Sequence, residues 1–395
     1  MPVTANSKIS ASDYNTIRNN IVSVMGVGSA SFGYGQAINS SSKSANEIID
    51  QTDWDNLRFD IVNARIHQTG AAFTVATNAS NALNRSQLQF TTASVGFLVQ
   101  GMAVFGISPH PIVGFKFITA IGTSGANTII TLDAPTESAV PSGTSIYFGT
   151  ASLSDFEEGV KVSATNINNY DSLATTAAGL VDRFSVAVGQ FATSSASSVS
   201  RTWSSSTSPQ FWSSEINTEL TITFSNSNDA RYYFNSGGEV RISSSRTGGR
   251  SDQQNNAWSS LLTSAGVRNF GGQIPTTGFS PMNGQNFYRL TSTYQSWYSI
   301  ASSSPYSANV YQLEAKCNVA DNSSGTANIV YIRVRFIGGY VDPGDYFLDS
   351  PRTNDEIDGT FAVTATQKYA SGKLLPSGNF SVVLPSFGFS SITGS

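Results

Sequence analysis

Apolar positions near the start of the chain recur at helical spacing. Tyr14, Ile17, Ile21 and Val24 fall at i, i+3, i+7 and i+10, one stripe of an amphipathic helix. Forty positions later Trp54, Leu57, Ile61 and Ala64 repeat the stripe. The surrounding residues repeat too: 12–22 and 52–62 share a hydroxyl, a carboxylate, an aromatic, two aliphatics and an arginine at identical offsets. That many matched positions indicate one structural unit used twice. A weaker third copy starts at Asn168-Asn169-Tyr170-Asp171-Ser172-Leu173, where the arginine is missing and Ala177 replaces the second aliphatic. Ser10 with Asp13 forms a plausible capping pair for the first helix, which should stop at Gly26-Val27-Gly28. Thr52 is the expected cap of the second, which runs to about His67 before Gly70; the third runs from about Asn168 to Val186. A short helix cannot bury such a stripe alone. Tyr14, Ile17, Ile21, Trp54, Leu57 and Ile61 are therefore the expected docking and oligomer interface, closing against each other or against adjacent protomers.

After the helices the period changes. Residues 29–44 are a Gly/Ser-rich connector whose Phe32-Gly33-Tyr34-Gly35 aromatics are expected to pin it to a neighbour. From 71 to 150, closely spaced glycines punctuate short β-rich runs such as Phe115-Lys116-Phe117-Ile118 and Asn127-Thr128-Ile129-Ile130-Thr131-Leu132, a small all-β module. Helical copies flank it, so it reads as an insertion into a helical docking region formed by 1–70 and completed by 155–190. Residues 194–206 are low-complexity Ser/Thr/Ala, a linker or an extended arm. Residues 200–395 alternate with period two, in 219–224, 311–319 and 330–336 above all. Residues 231–242 predict a β-hairpin turning at Asn235 to Gly238, and 252–265 one helix ended by Gly266. The fold class is mainly β: a small N-terminal α-helical part, an inserted all-β module and a C-terminal antiparallel β-sandwich.

Charged residues make up only 12% of the chain and the net charge is −4. That is about half the usual charged share, so solubility rests on neutral Ser, Thr, Asn and Gly, and such a surface packs against neighbours without desolvating many ions. No run of Lys or Arg exceeds two. An electrostatic footprint for nucleic acid is absent, and no apolar run approaches a membrane span. The N-terminus lacks the basic start and apolar core of a signal peptide, so the chain is expected to be made and kept in the cytosol unless a lysis event frees it.

Chemistry has few candidates. The single cysteine, Cys317, sits in the alternating run Leu313-Ala315-Cys317-Val319 and reads as a small buried hydrophobe. His67 falls in the last turn of a helix, where the dipole favours it, and His110 is held between Pro109 and Pro111. A glycosidase needs two carboxylates across a sugar. Asp155, Glu157 and Glu158, or Asp342, Asp345, Asp349, Asp355, Glu356 and Asp358, are the groups available, with a solvated or ion-binding loop as the default for the second set. Calcium is conceivable there, although the spacing matches no EF-hand loop. Thr247-Gly248-Gly249-Arg250-Ser251 lacks the lysine of a phosphate loop and reads as a polar turn into the helix at Asp252. Trp203, Phe211, Trp212, Tyr232, Trp258, Tyr294, Trp297 and Tyr298 suit core packing first and a sugar or a subunit second. No cofactor or metal is expected.

Several phrases carry a resemblance. Ser10-Ala11-Ser12-Asp13-Tyr14-Asn15, Gly33-Tyr34-Gly35-Gln36, Trp54-Asp55-Asn56-Leu57-Arg58 with His67-Gln68-Thr69-Gly70, and Arg231-Tyr232-Tyr233-Phe234-Asn235-Ser236-Gly237-Gly238 resemble virion structural proteins of contractile-tailed bacteriophages, notably those infecting cyanobacteria and other marine bacteria. Ser304-Pro305-Tyr306-Ser307-Ala308-Asn309 and Leu313-Glu314-Ala315-Lys316-Cys317-Asn318 are similar too. The likeness covers residues 1–70 and 155–385, and 71–150 resembles small β modules inserted in phage appendage proteins. It implies a virion location, no catalytic residues, and a homo-oligomer, often trimeric in such appendages, that contacts other virion proteins. Tail fibre, neck appendage, baseplate part, head decoration and a tip that binds a host-surface glycan all fit that resemblance.

Overall fold

Helix α1 (Ala11–Met25) begins where the sequence places its cap. The Ser10 hydroxyl accepts from the Asp13 amide while the Asp13 carboxylate accepts from the Ser10 amide, and Gly26 ends the helix. Helix α2 (Gln51–Thr69) corrects the expected start. Its cap is Asp50, not Thr52: the Asp53 amide donates to Asp50 Oδ1 (3.0 Å) and the Asp50 amide to Asp53 Oδ2 (2.9 Å). The reciprocal box thus recurs at the same forty-residue offset as the stripe, an acid replacing the hydroxyl of Ser10. In this computed structural model the described residues are 9–30, 32–69, 191–272, 286–341, 356–370 and 382–394, together with 73–175 apart from 78–79, 82–83, 93–94, 96–97, 99, 106–110, 113–115, 150–166, 169 and 173. The third copy is helical at Ile167, Asn168, Tyr170, Asp171, Ser172, Ala174 and Thr175, and its expected run to Val186 lies outside them.

The module after α2 is one antiparallel sheet of seven strands. They are β1 (Phe73–Thr77), β2 (Ser80–Asn81), β3 (Gln87–Thr91), β4 (Ala103–Phe105), β5 (Lys116–Ser124), β6 (Asn127–Leu132) and β7 (Ser145–Gly149), in the order β1-β7-β4-β5-β6-β3-β2. Leu88, Phe90, Ile118, Ile130, Ile146 and Phe148 form its own core. Ala103, Phe105 and Phe117 join a different core, that of the helices. Phe59 meets Phe117 at 5.9 Å, and the buried Arg58 guanidinium lies 3.0 Å over the Phe117 ring. The inserted sheet and the helices are therefore joined by packing as well as by chain.

The chain divides into two compact units, Met1–Ala192 with Ala370–Val382, and Thr193–Tyr369 with Val383–Ser395. After β8 (Phe191–Thr193), which begins in the first unit and ends in the second, the second is built on β9 (Ser197–Trp203), β10 (Glu215–Thr223), α3 (Ser227–Asn235), β11 (Glu239–Thr247), α4 (Gln253–Ala265), β12 (Arg268–Gly271), β13 (Gln295–Ala301), β14 (Val310–Cys317), β15 (Ile329–Ile337), β16 (Gly359–Ala370), β17 (Ser386–Phe389) and β18 (Thr393–Gly394). One sheet runs β13-β14-β15-β10-β17 with β18 also on β10; the other runs β12-β11-β16-β8 with β9 also on β16. Period-two alternation puts Val330, Ile332, Val334 and Phe336 inside. Phe336 faces Phe361 across the gap at 5.3 Å, Phe270 faces Trp297 at 5.6 Å, and Trp258 of α4 touches both Phe336 and Phe361. The fold is mainly β, with an N-terminal helix pair and antiparallel sheets.

Two expectations in this unit are overturned. Residues 231–242 are not a hairpin but the end of α3 followed by β11. The Asn226 side chain accepts from the Asp229 amide and starts a helix, which lets the adjacent Tyr233 and Phe234 both be buried; on a strand they would point to opposite faces. Phe234 stacks on Phe287 at 4.4 Å, and tertiary packing wins over the β preference of an aromatic run. Gly237, at φ +91°, ends the helix, and a Cβ on Gly238 would lie 2.5 Å from the Tyr233 carbonyl. Nor are residues 194–206 a free arm. Seven of them form β9, paired with β16 from Ser197↔Ala365 to Trp203↔Gly359. Val199, Arg201 and Trp203 supply a period-two alternation that the serines hide.

Candidate functional site

The outward face of the β13-β14-β15-β10 sheet gathers the ionised and phenolic side chains that alternate with its core. Arg335 donates to both carboxylate oxygens of Glu215 (2.7 and 2.6 Å), and Arg333 donates to Glu314 (2.7 Å), which also lies 3.5 Å from Arg335. The registers Asn217↔Arg335 and Glu314↔Arg333 place these groups on neighbouring strands of one face. Tyr294 bonds Glu219 through its hydroxyl, Arg333 lies 4.1 Å over its ring, and Lys316 lies 4.5 Å from that ring and 4.9 Å from that of Tyr331. Burial first, then the Glu219 bond, pushes the Tyr294 phenol well above its ordinary range. The bidentate Arg335 lowers the Glu215 carboxyl. The result is a face of alternating charge, each member held by its neighbour.

A second cluster lies where α4 begins. Arg246, almost wholly buried, donates from Nε to the Asp358 carbonyl (2.7 Å) and from Nη2 to the Asp358 carboxylate (3.1 Å). Arg250 adds its amide (2.9 Å) and Nε (3.0 Å) to the same carboxylate and pairs with Glu356 (2.9 Å). Asp252 caps α4 through the Asn255 amide, and Asn255 in turn accepts from the Asp358 amide. Gly249 is required here: its φ is +75°, and a Cβ would lie 2.4 Å from Asp358 Oδ1. The Gly-rich turn is thus the expected lead-in to a helix. Glu356 and Asp358, offered by the sequence as catalytic carboxylates, instead neutralise arginines; Asp155, Glu157, Glu158, Asp342, Asp345, Asp349 and Asp355 lie outside the described residues.

The expected docking residues are relocated by the structure. Tyr14, Ile17, Ile21, Trp54, Leu57 and Ile61 are at most 3% exposed and pack on one another and on Tyr170 inside a single chain. The correction is physical: a stripe closed within its own protomer offers no contact surface to another. Tyr34 of the connector enters the same core, while the Gly35 and Gln36 amides close the end of α1 on the Gly26 and Met25 carbonyls (2.8 and 2.7 Å). The exposed residues of α1 are the neutral Ser12, Thr16 and Asn19. They line an open groove of about 920 Å³ whose far wall carries Ile48, 82% exposed.

Of the aromatics named from sequence, Trp203, Trp212, Trp258 and Trp297 are core residues, and Phe211 is exposed. Cys317 is buried, and burial pushes its thiol up. His110 and the side chain of His67 lie outside the described residues. Among the described residues no group of three or more His, Cys, Asp or Glu is placed to hold a metal ion, and no helix is long and apolar enough to cross a membrane. Sequence reasoning missed the Arg246–Asp358 pair, whose partners are 112 residues apart. The one signal for it was a Gly-Gly-Arg turn facing an acidic segment. The chain matches no family model, no curated protein and no solved structure.

Proposed function

We propose that the chain is a non-enzymatic structural component of a tailed-bacteriophage virion, an oligomeric tail- or neck-associated fibre or appendage protein. The observation that carries this reading is that the ionised side chains of the sandwich neutralise one another in place. Glu215, Glu314, Arg333 and Arg335 do so on the sheet face, and Arg246, Arg250, Glu356 and Asp358 beside α4. Such pairs hold strands and loops in register and leave none of these four carboxylates poised for proton transfer. The low charge and the repeated helical unit agree with a building block packed among other proteins. Docking to the particle then uses the outer surface of the N-terminal unit, not its buried stripe. Quantitative mass spectrometry of density-purified particles of the encoding phage tests the proposal. Peptides of this chain are expected in fixed multiple copies per particle, and their confinement to the unassembled fraction overturns it.

A second reading is a tip that binds a host-surface glycan, favoured by Tyr294 and Tyr331 set among fixed Arg and Glu groups on one sheet face. A glycan array probed with the full chain separates the two, since saturable binding abolished by Tyr331→Ala favours the tip.

A further inference from the structure

β13 is the outermost strand of the six-stranded sheet, and among the described residues no strand pairs with its far edge. The Ser302 amide donates to the Asn309 carbonyl (2.9 Å), and the register continues as Ala301↔Val310, Ile300↔Tyr311, Ser299↔Gln312 and Tyr298↔Leu313. Hydrogen-bonded and non-bonded pairs alternate in an antiparallel ladder. Ile300 and Tyr298 therefore bond β14, while the amide and carbonyl of Ser299 and Ala301 point to the open side. Both residues are exposed.

Natural edge strands are normally blunted by a charge, a proline or extreme shortness. β12 has four residues and carries Arg268, and β9 carries Arg201, but Gln295-Ser296-Trp297-Tyr298-Ser299-Ile300-Ala301 contains no charge and no proline. Its bulge between Ser296 and Tyr298 leaves 298–301 as a regular stretch, whose one charged neighbour among the contacts described, Arg268, engages the side chain of Tyr298 and not the open backbone of Ser299 and Ala301.

We propose that this edge pairs with the same edge of a second copy, antiparallel about a two-fold axis at Ser299. The parity favours that occupant. Ser299 then faces Ser299 with both open-side groups bonded, and Tyr298 of each copy lies opposite Ile300 of the other on the face that Leu313 and Tyr311 already occupy. That is an aromatic–β-branched pair of the favourable kind. The strand itself is uncharged, so no like charges stand opposite one another along it, and the Arg268 guanidinium of each copy is held on its own Tyr298, over the ring at 4.0 Å and on the hydroxyl at 2.8 Å. An extended segment of another protein would lack this symmetry. Four residues make a short seam, so the dimer depends on concentration and is reinforced when many copies are held in one assembly.

The inference rests on the structural reading for its use and not for its contact, and the tests are separable, since particle composition decides the one and the following decides the other. Ser299→Cys brings two thiols within bridging range at the axis, as a hydrogen-bonded antiparallel pair has Cα atoms about 5.5 Å apart. Mild oxidation of the full-length variant is expected to give a band at twice 41.9 kDa, and Ser324→Cys, on an exposed loop elsewhere, is not. Sedimentation of the unmodified chain over a concentration series should show a monomer–dimer equilibrium. Ser299→Pro, which removes a donor that β14 does not use, should abolish it without changing the circular dichroism or melting. Equal cross-linking of the two cysteine variants, a dimer that survives Ser299→Pro, or a three-protomer mass overturns the seam, because a two-fold contact closes with two copies.

Discussion

The ring of Tyr14 meets that of Trp54 edge-on, with 5.2 Å between centroids and 80° between planes. The two residues occupy the same position of a unit repeated forty residues apart. The Tyr14 hydroxyl also donates to the Asp53 carbonyl (3.1 Å), and Tyr170, the equivalent residue of the third copy, meets Trp54 from a second side at 5.8 Å and 88°. Three copies of one motif thus bury one another's aromatics. Tyr14→Ala is expected to destabilise the N-terminal unit by about 3–5 kcal/mol, and Tyr14→Phe, which keeps the ring and loses the hydrogen bond, by about 1 kcal/mol. Chemical denaturation of both variants checks the ratio.

Burial fixes the behaviour of the chain at high pH. It raises the Tyr14 phenol to about 12 and holds Tyr233, Tyr294 and Tyr311 well above their ordinary value. Unfolded tyrosines ionise near 10. The unfolded state therefore releases protons that the folded state keeps, so the tyrosines' contribution to stability is undiminished below about pH 10 and falls as pH rises beyond it. Glu215, lowered by Arg335, gives the opposite sign: its contribution is present above the unfolded carboxyl value of about 4.3 and is lost as pH falls. Melting temperature against pH, followed with phenolate absorbance, should show these phenols ionising only as the protein unfolds.

Asp358 holds two arginines, one of them almost wholly buried. Asp358→Ala leaves the Arg246 charge without its carboxylate and is expected to cost about 3–5 kcal/mol. Gly249→Ala should also destabilise, because a left-handed backbone and a 2.4 Å approach to the same carboxylate oppose the added methyl. A denaturant midpoint unchanged in either variant would contradict the arrangement.

The periodic parts of this chain were legible before the structure. Tyr14, Ile17, Ile21 and Val24, and Trp54, Leu57, Ile61 and Ala64, are the buried faces their spacing predicts, and so are the alternating residues of β15. Local competition hid the rest. Tyr232, Tyr233 and Phe234 favour a strand by type, but the Asn226 cap and the stack on Phe287 make them helical. The serines of β9 mask its alternation, and Asp50 outcompetes Thr52 as a cap because Asp53 answers it. What no spacing reveals is the partner of a stripe. Amphipathicity says that Ile17 and Leu57 must be covered, and only the fold says that the cover comes from the same chain.

Arg58 tests how the inserted sheet is held. Its guanidinium over Phe117 predicts a coupling of about 0.5–2 kcal/mol in a double-mutant cycle of Arg58→Met with Phe117→Leu. Additive single effects would show that the contact contributes nothing.

The central claim is that the repeated helices close on one another within one chain, leaving assembly to outer surfaces. Hydrogen exchange of the amides in α1 and α2, measured on the dilute monomer, tests it most directly. Exchange slow enough to require global unfolding, and unchanged as concentration rises, is the predicted result. Rapid exchange that becomes protected only when chains associate would contradict it.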